Sequence, residues 1–222
     1  MLYSETVEAR TLDLIKRLMQ DEKLKNFRLV GGTALSLCIG HRISIDIDLF
    51  TNQDFDAPKL YNHLLNSYKG EKLRAIKNGV FGLIEDIKID LISHQYPWLQ
   101  PVNKVEEIRM ASLEDIGAMK VHAIVQSGSR LKDFVDVYYL LEHLSSKELI
   151  KAYQSKYPET NSALAQKALI YFSDVDFDIP VNLIEKQLDW KIIERRLQLA
   201  SLDSKKIFKP ERKNIQRKGR GI

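Results

Sequence analysis

Asp46 and Asp48 stand two residues apart in Ile45-Asp46-Ile47-Asp48-Leu49-Phe50. On a strand, side chains two apart share a face, so both carboxylates project together while Ile45, Ile47 and Leu49 pack on the other side. Two like charges so close repel, strands disfavour Asp, and buried carboxylates without partners are costly. A divalent cation between them removes the repulsion, which points to metal-dependent phosphoryl or nucleotidyl transfer. A third acid, Asp90, occupies the polar phase of Ile87-Lys88-Ile89-Asp90-Leu91, again an apolar-Asp-apolar pattern. If the two strands pair, Asp46, Asp48 and Asp90 meet on one sheet face as a candidate metal site. Each acid taken singly also fits a solvated strand face.

Other residues have two readings each. Gly31-Gly32, after a strand and before a helix, admits backbone N–H groups to a phosphate or only supplies a turn needing positive φ. Arg42 and Ser44 precede the acidic strand, where Arg42 reaches a nucleotide phosphate or pairs with a nearby acid. Lys120 shares a helical stripe with Leu113, Ile116 and Ile124, so it either snorkels to the edge or aims into a cleft. Asp133 and Asp136 share a helix face, and pairing of Lys132 with Asp136 at i, i+4 makes that face an ordinary salt-bridged surface. His63, His94, His122 and His143 show no ligand spacing and read as ordinary.

The elements that position these groups follow from periodicity and punctuation. An amphipathic helix over Thr6–Gln20 precedes a short strand at Phe27–Val30, a helix over Thr33–Ile39 ending near Gly40, and the strand Ser44–Phe50. Asp56 caps a helix with Pro58 in its first turn, reaching Tyr68. Asn78-Gly79 joins Lys72–Lys77 and Val80–Ile84 as a hairpin, and Ile87–Ile92 alternates as a further strand. A loop holding Pro97, Trp98 and Pro101 closes this portion. Ser112-Leu113-Glu114-Asp115 reads as a capping box opening a helix to Gln126. Helices over Leu131–Leu144, Ser146–Tyr157, Ser162–Phe172 and Val181–Leu199 complete an α+β chain whose sheet-rich half precedes a helical half. The division expected is a core at 1–105, a helical lobe at 106–203 and a basic tail at 204–222.

The chain has 222 residues, 44% hydrophobic and 29% charged, enough for a sizeable core. It lacks an apolar run of about 18 residues that a membrane span needs, and its acid-bearing start is unlike a targeting peptide. The single Cys38 has no internal disulfide partner, so reducing cytoplasm is the expected compartment. Charge is uneven. Lys205, Lys206, Lys209, Arg212, Lys213, Arg217, Lys218 and Arg220 against Glu211 give the tail a net +7, leaving −3 on the rest of a +4 chain. Such a tail either tracks RNA phosphates or is flexible, solvent-facing chain.

Val30-Gly31-Gly32, thirteen intervening residues and Asp46-Ile47-Asp48-Leu49, with Ile89-Asp90-Leu91 later, resemble the glycine-pair and acid-triad pattern of DNA polymerase beta-like nucleotidyltransferases. More narrowly, GGTALSL followed by HRISIDIDLF, and SLEDIGAMKVHAI followed by RLKDFVDVYYLL, resemble the abortive-infection AbiEii/AbiGii nucleotidyltransferase toxins over roughly Phe27–Leu144. The resemblance implies a mixed-sheet nucleotidyltransferase domain followed by a helical domain, moving an NMP from an NTP to an acceptor. Asp46, Asp48 and Asp90 would bind Mg²⁺ or Mn²⁺. Gly31, Gly32 and Thr33, with Arg42 and Ser44, would seat the nucleotide. Lys120 would face the leaving pyrophosphate, and one of Asp133 and Asp136 would be functional. It further implies an RNA such as tRNA as acceptor and a cognate antitoxin as partner. The alternatives are a small-molecule acceptor such as an antibiotic, or a non-catalytic nucleotide-binding regulator.

Overall fold

A computed structural model describes residues 1–184 and 188–210. Seven strands form one mixed sheet in the order β3-β4-β5-β2-β1-β7-β6. They are β1 (Arg28–Val30), β2 (Ile47–Thr51), β3 (Glu71–Ile76), β4 (Gly79–Ile84), β5 (Ile87–Ser93), β6 (Asn103–Val105) and β7 (Ile108–Met110). The helices are α1 (Ala9–Gln20), α2 (Gly31–Ile39), α3 (Ala57–Tyr68), α4 (Leu113–Gln126), α5 (Leu131–Leu140), α6 (Ser146–Lys156), α7 (Ser162–Ala168) and α8 (Trp190–Leu202). The architecture is α+β, as expected.

The central strands carry the pairing that matters. β2 runs antiparallel to β1 and parallel to β5, with Asp48 directly opposite Asp90. Ile47, Leu49, Ile89 and Leu91 are fully buried on the other face, where they join Leu29 and helices α1 to α3 in one core. That burial fixes the register, because a one-residue slip would exchange isoleucine for aspartate on the core side. A second core lies among α4 to α8. The two cores meet along α4, which gives Ile116 to the first and Ala118, Val121 and Ile124 to the second.

Several boundaries differ from the expected ones for identifiable reasons. β2 begins at Ile47 rather than Ser44, and Ile45 is 59% exposed instead of packed. Its partner β1 stops at Val30, because Gly31 at φ 70° turns the chain into α2. The preceding segment bonds elsewhere: Ile43 N–H donates to Asn182 O, and Arg42 bridges Leu183. That bridge also accounts for the helix expected over Val181–Leu199. Residues 181–184 run beside Arg42, and α8 starts only at Trp190, capped by Asp189 accepting from Lys191 N–H. Residues 185–187 of that expected helix lie outside the described residues.

The sheet also continues past residue 105 into the β6–β7 hairpin, whose β7 pairs parallel with β1. Its turn is Glu106-Glu107 at φ 48° and 68°, a two-residue turn of the type that normally selects Asn or Gly, so the usual punctuation is missing. Glu85-Asp86 makes the same kind of turn between β4 and β5, at φ 54° and 62°. The β3–β4 hairpin forms as expected, but Ile76 pairs with Gly79, so the turn residues are Lys77 and Asn78. Of the basic tail, residues 211–222 lie outside the described residues. Within the part described, Phe208 N–H donates to Leu141 O at 2.9 Å.

Candidate active site

The three acids lie along one cavity of about 320 Å³ between the sheet and the α4–α5 pair. Asp48 and Asp90 sit side by side on adjacent parallel strands, which in any sheet run about 4.8 Å apart. Asp46 lines the same cavity from just before β2, and its backbone carbonyl is held by the Thr33 hydroxyl. Burial, then the charge of Asp90, pushes the Asp48 carboxyl above its ordinary value. Asp90 Oδ2 accepts from Lys88 Nζ at 2.7 Å, while Asp90 Oδ1 is buried with no hydrogen-bond partner. Among the described residues, no three His, Cys, Asp or Glu side chains are grouped so as to hold a metal ion, so Asp46, Asp48 and Asp90 do not form a ready three-ligand set. The donor chemistry of Asp48 and Asp90 nevertheless fits a hard divalent cation: two adjacent carboxylates, one oxygen without a partner and an Asp48 pKa raised by burial and then by its neighbour's charge.

The glycine pair is explained by its neighbours. A Cβ on Gly31 would lie 2.1 Å from Asp48 Oδ2, and one on Gly32 would lie 2.0 Å from Arg42 Nη2. Gly31 supplies the positive φ of the turn reading, at 70°, and a site carboxylate also presses on its backbone. Gly31→Ala is therefore expected to destabilise the protein by about 1–3 kcal/mol through left-handed strain alone and to displace Asp48. Thermal melts and transfer assays on the same preparation check both effects.

Arg42 is committed to the fold. Its Nε and Nη2 donate to Asp136 Oδ1 and Oδ2 at 2.7 and 3.0 Å, and Nη1 donates to Ile43 O at 3.0 Å. Asp136 is fully buried, and it also accepts from His41 Nε2 at 2.8 Å and pairs with Lys120 Nζ at 2.6 Å. Burial opposes the charge on Asp136, but Arg42 and Lys120, then hydrogen bonds from His41 and Arg42, hold its carboxyl well below the usual range. Lys120 also donates to Asp133 Oδ1 at 2.9 Å. Asp133 and Asp136 are thus not a solvated salt-bridged face, and Lys132 pairs with neither. Both acids are buried on α5, where their Lys120 partner reaches them from α4.

The cavity brings together Gly31, Gly32, Arg42, Ser44, Asp46, Asp48, Asp90, Lys120 and Asp133. Thr33 and Asp136 are behind its wall. Thr33 is 1% exposed, and its hydroxyl is used by Asp46 O and by Ser44 Oγ at 2.9 Å. Lys88, Arg130 and Lys132 also line the cavity and were not expected there. Lys88 was legible, since it precedes Asp90 by two residues on one strand face. Lys132 reads as a surface residue because its neighbours at i+1 and i+4 are acids. Burial, then the charge of Arg130, pushes its pKa below the ordinary lysine value. His94, His122 and Tyr157, likewise unexpected, complete the lining.

Comparison with known proteins places the chain in a family. A protein of Aquifex aeolicus named only as uncharacterized protein aq_aa25 is 34% identical over 155 residues, 67% of this chain and 75% of that one. Two Helicobacter pylori structures share the fold. One is named a nucleotidyltransferase (TM-score 0.51, 19% identity, 88% of this chain and 94% of that one). The other is JHP933 (TM-score 0.53, 18% identity, 88% and 92%). The family model described as nucleotidyl transferase AbiEii toxin, type IV TA system, matches residues 13–210, well beyond the stretch over which the motifs are legible. With that match spanning both the sheet and the helices that enclose the cavity, the chain belongs to the AbiEii nucleotidyl transferase toxin family.

Proposed function

We propose that this nucleotidyltransferase moves a nucleoside monophosphate from an NTP to a hydroxyl of an RNA acceptor, tRNA-like in the first instance. The observation that carries the reading is the Asp48–Asp90 pair in register on β2 and β5, facing a wall of cations across one cavity. Asp48 and Asp90, with Asp46 beside them, would hold Mg²⁺ or Mn²⁺. When bound, that ion neutralises triphosphate charge and lowers the barrier for in-line displacement.

The residues of the chain have separable tasks. The acceptor oxygen bonds to the α-phosphorus, the bond from that phosphorus to the bridging oxygen breaks, and pyrophosphate leaves. The acceptor proton passes to Asp90 Oδ1, the carboxylate oxygen without a partner. Lys132 receives the phosphates, with Arg130, which already pairs with Asp133, beside it. Lys132 carries no acidic partner among the described residues, so its ammonium is available, whereas Lys120 is held by Asp133 and Asp136. Lys120 therefore orients Asp133 at the cavity edge and contributes positive potential. Gly31 and Gly32 keep the floor low enough for the phosphate chain to approach Asp48. A cognate antitoxin as partner is part of this reading through the family.

The test incubates purified protein with Mg²⁺ or Mn²⁺ and each α-labelled NTP, with total RNA, with aminoglycosides, or with neither. Label is expected on RNA, and Asp90→Asn is expected to lower transfer by at least about a hundredfold. Label on the aminoglycoside alone replaces the acceptor. No label with any NTP, or equal transfer by Asp90→Asn, sinks the reading and leaves a nucleotide-binding regulator.

A further inference from the structure

The cavity has a second wall that the phosphate chemistry leaves unused. Phe50 follows Asp48 by two residues on β2 and so stands on the same sheet face, about 6.6 Å further along. His94, just past β5, tilts against Phe50 with ring centroids 5.4 Å apart. Tyr157, at the end of α6, meets His94 at 5.8 Å and stacks on His122 of α4 at 4.1 Å with planes 14° apart. All four rings line the cavity, and Phe50, His94 and His122 are only half-buried, so ring surface remains open to it.

The rings are uncharged at neutral pH. Burial, then the nearby charge of Lys156, pushes His94 down to about 4, and burial pushes His122 down as well. His94 Nε2 is 3.1 Å from the Tyr157 hydroxyl, which orients the imidazole. His122 Nδ1 is buried without a hydrogen-bond partner, an exception that native proteins rarely leave unexplained. A neutral, partly open aromatic wall with unspent polar capacity is suited to a nucleobase, since every base offers a π-face. Phe50 stands two residues along β2 from Asp48, on the side where a nucleotide with its phosphates near Asp48 and Asp90 can carry its base.

We propose that Phe50, His94 and His122, backed by the buried Tyr157, form the subsite that stacks the base of the incoming NTP. This rests on the nucleotidyl-transfer reading and assigns the cavity's aromatic end within it. The test measures affinity of the full chain, in Mg²⁺, for ATP, GTP, CTP, UTP and inorganic tripolyphosphate by calorimetry. At least one NTP is expected to bind roughly tenfold or more tighter than tripolyphosphate. The His94→Ala/His122→Ala double variant is expected to lose that margin while its tripolyphosphate affinity stays unchanged. Should the double variant melt early, Phe50→Ala, which leaves the Tyr157–His122 stack in place, carries the same comparison. NTP and tripolyphosphate binding equally to the wild-type protein overturns the subsite alone. So does a double variant that keeps its NTP affinity but loses that of an RNA oligonucleotide, which gives the wall to the acceptor. Binding of neither NTP nor tripolyphosphate overturns the functional reading and the subsite with it.

Discussion

Asp48→Asn is expected to raise the melting temperature of the metal-free protein while removing nucleotidyl transfer. Asp48 lies against Gly31 and beside Asp90, and burial followed by Asp90's charge raises its pKa in the folded state. A carboxyl with a raised folded pKa binds its proton more tightly folded than unfolded. Its effect is therefore most favourable below the ordinary carboxylate range and is lost as pH rises through the folded pKa. At neutral pH the ionised group works against folding. Asparagine keeps the shape and removes the charge, for a gain of about 1 kcal/mol, or roughly 2–4 °C in a domain of this size. At acid pH, where Asp48 is protonated in both states, variant and wild type should melt alike.

The cation reverses the ranking. A ligand that binds only the folded protein adds about 2.7 kcal/mol when present at a hundred times its dissociation constant. Wild-type protein should therefore gain stability in Mn²⁺ or Mg²⁺, and Asp48→Asn should gain much less. Transfer by the variant should fall by at least about a hundredfold. A calorimetric scan with and without cation separates these terms without any substrate. If Asp48→Asn melts lower than wild type in chelator and the cation shifts both equally, the two carboxylates are structural.

How much of this was legible depends on where the signal resides. The pairing of Asp48 with Asp90 was, because period-2 alternation in Ile47–Phe50 and Ile87–Leu91 states which side chains share a face and burial of the isoleucines forces the register, whereas Asp46, expected on the same strand, precedes β2. The glycine pair was half legible. Spacing marked it as a close approach, but its two neighbours, Asp48 and Arg42, come from elsewhere in the chain. Asp136 was not legible, because the partners that bury it, His41 and Arg42, lie more than ninety residues away and reach it only through the packing of α2 on α5. The same limit hid the aromatic wall, assembled from β2, the end of β5, α4 and the end of α6. The β6–β7 hairpin escaped for a local reason, a Glu-Glu turn where glycine or asparagine is the usual signal.

Asp136→Ala is expected to destabilise the protein by about 3–5 kcal/mol, the usual range for breaking a buried ion pair by removing one partner. The loss comes less from the missing attraction than from what remains. Arg42 and Lys120 are 5% exposed each, and both would keep their charge in a cavity with one fewer anion. Because Asp136's folded pKa is depressed, its contribution is present above the unfolded value near 3.8 and disappears as pH falls through the folded value. The wild-type advantage over Asp136→Ala should accordingly shrink on acidification. Adding Lys120→Met to Asp136→Ala should recover part of the loss, since the second change removes one stranded cation. Asp133→Asn behaves differently. Lys120 keeps Asp136 and Arg130 is half exposed, so the stability change should stay within about 1.5 kcal/mol while transfer falls. Denaturant melts of the four proteins, paired with transfer rates, assign the two acids. The expected outcome leaves Asp136 holding the lysine and arginine from behind the wall and Asp133 as the acid on the cavity side. A melt for Asp136→Ala indistinguishable from wild type would remove Asp136 from that role.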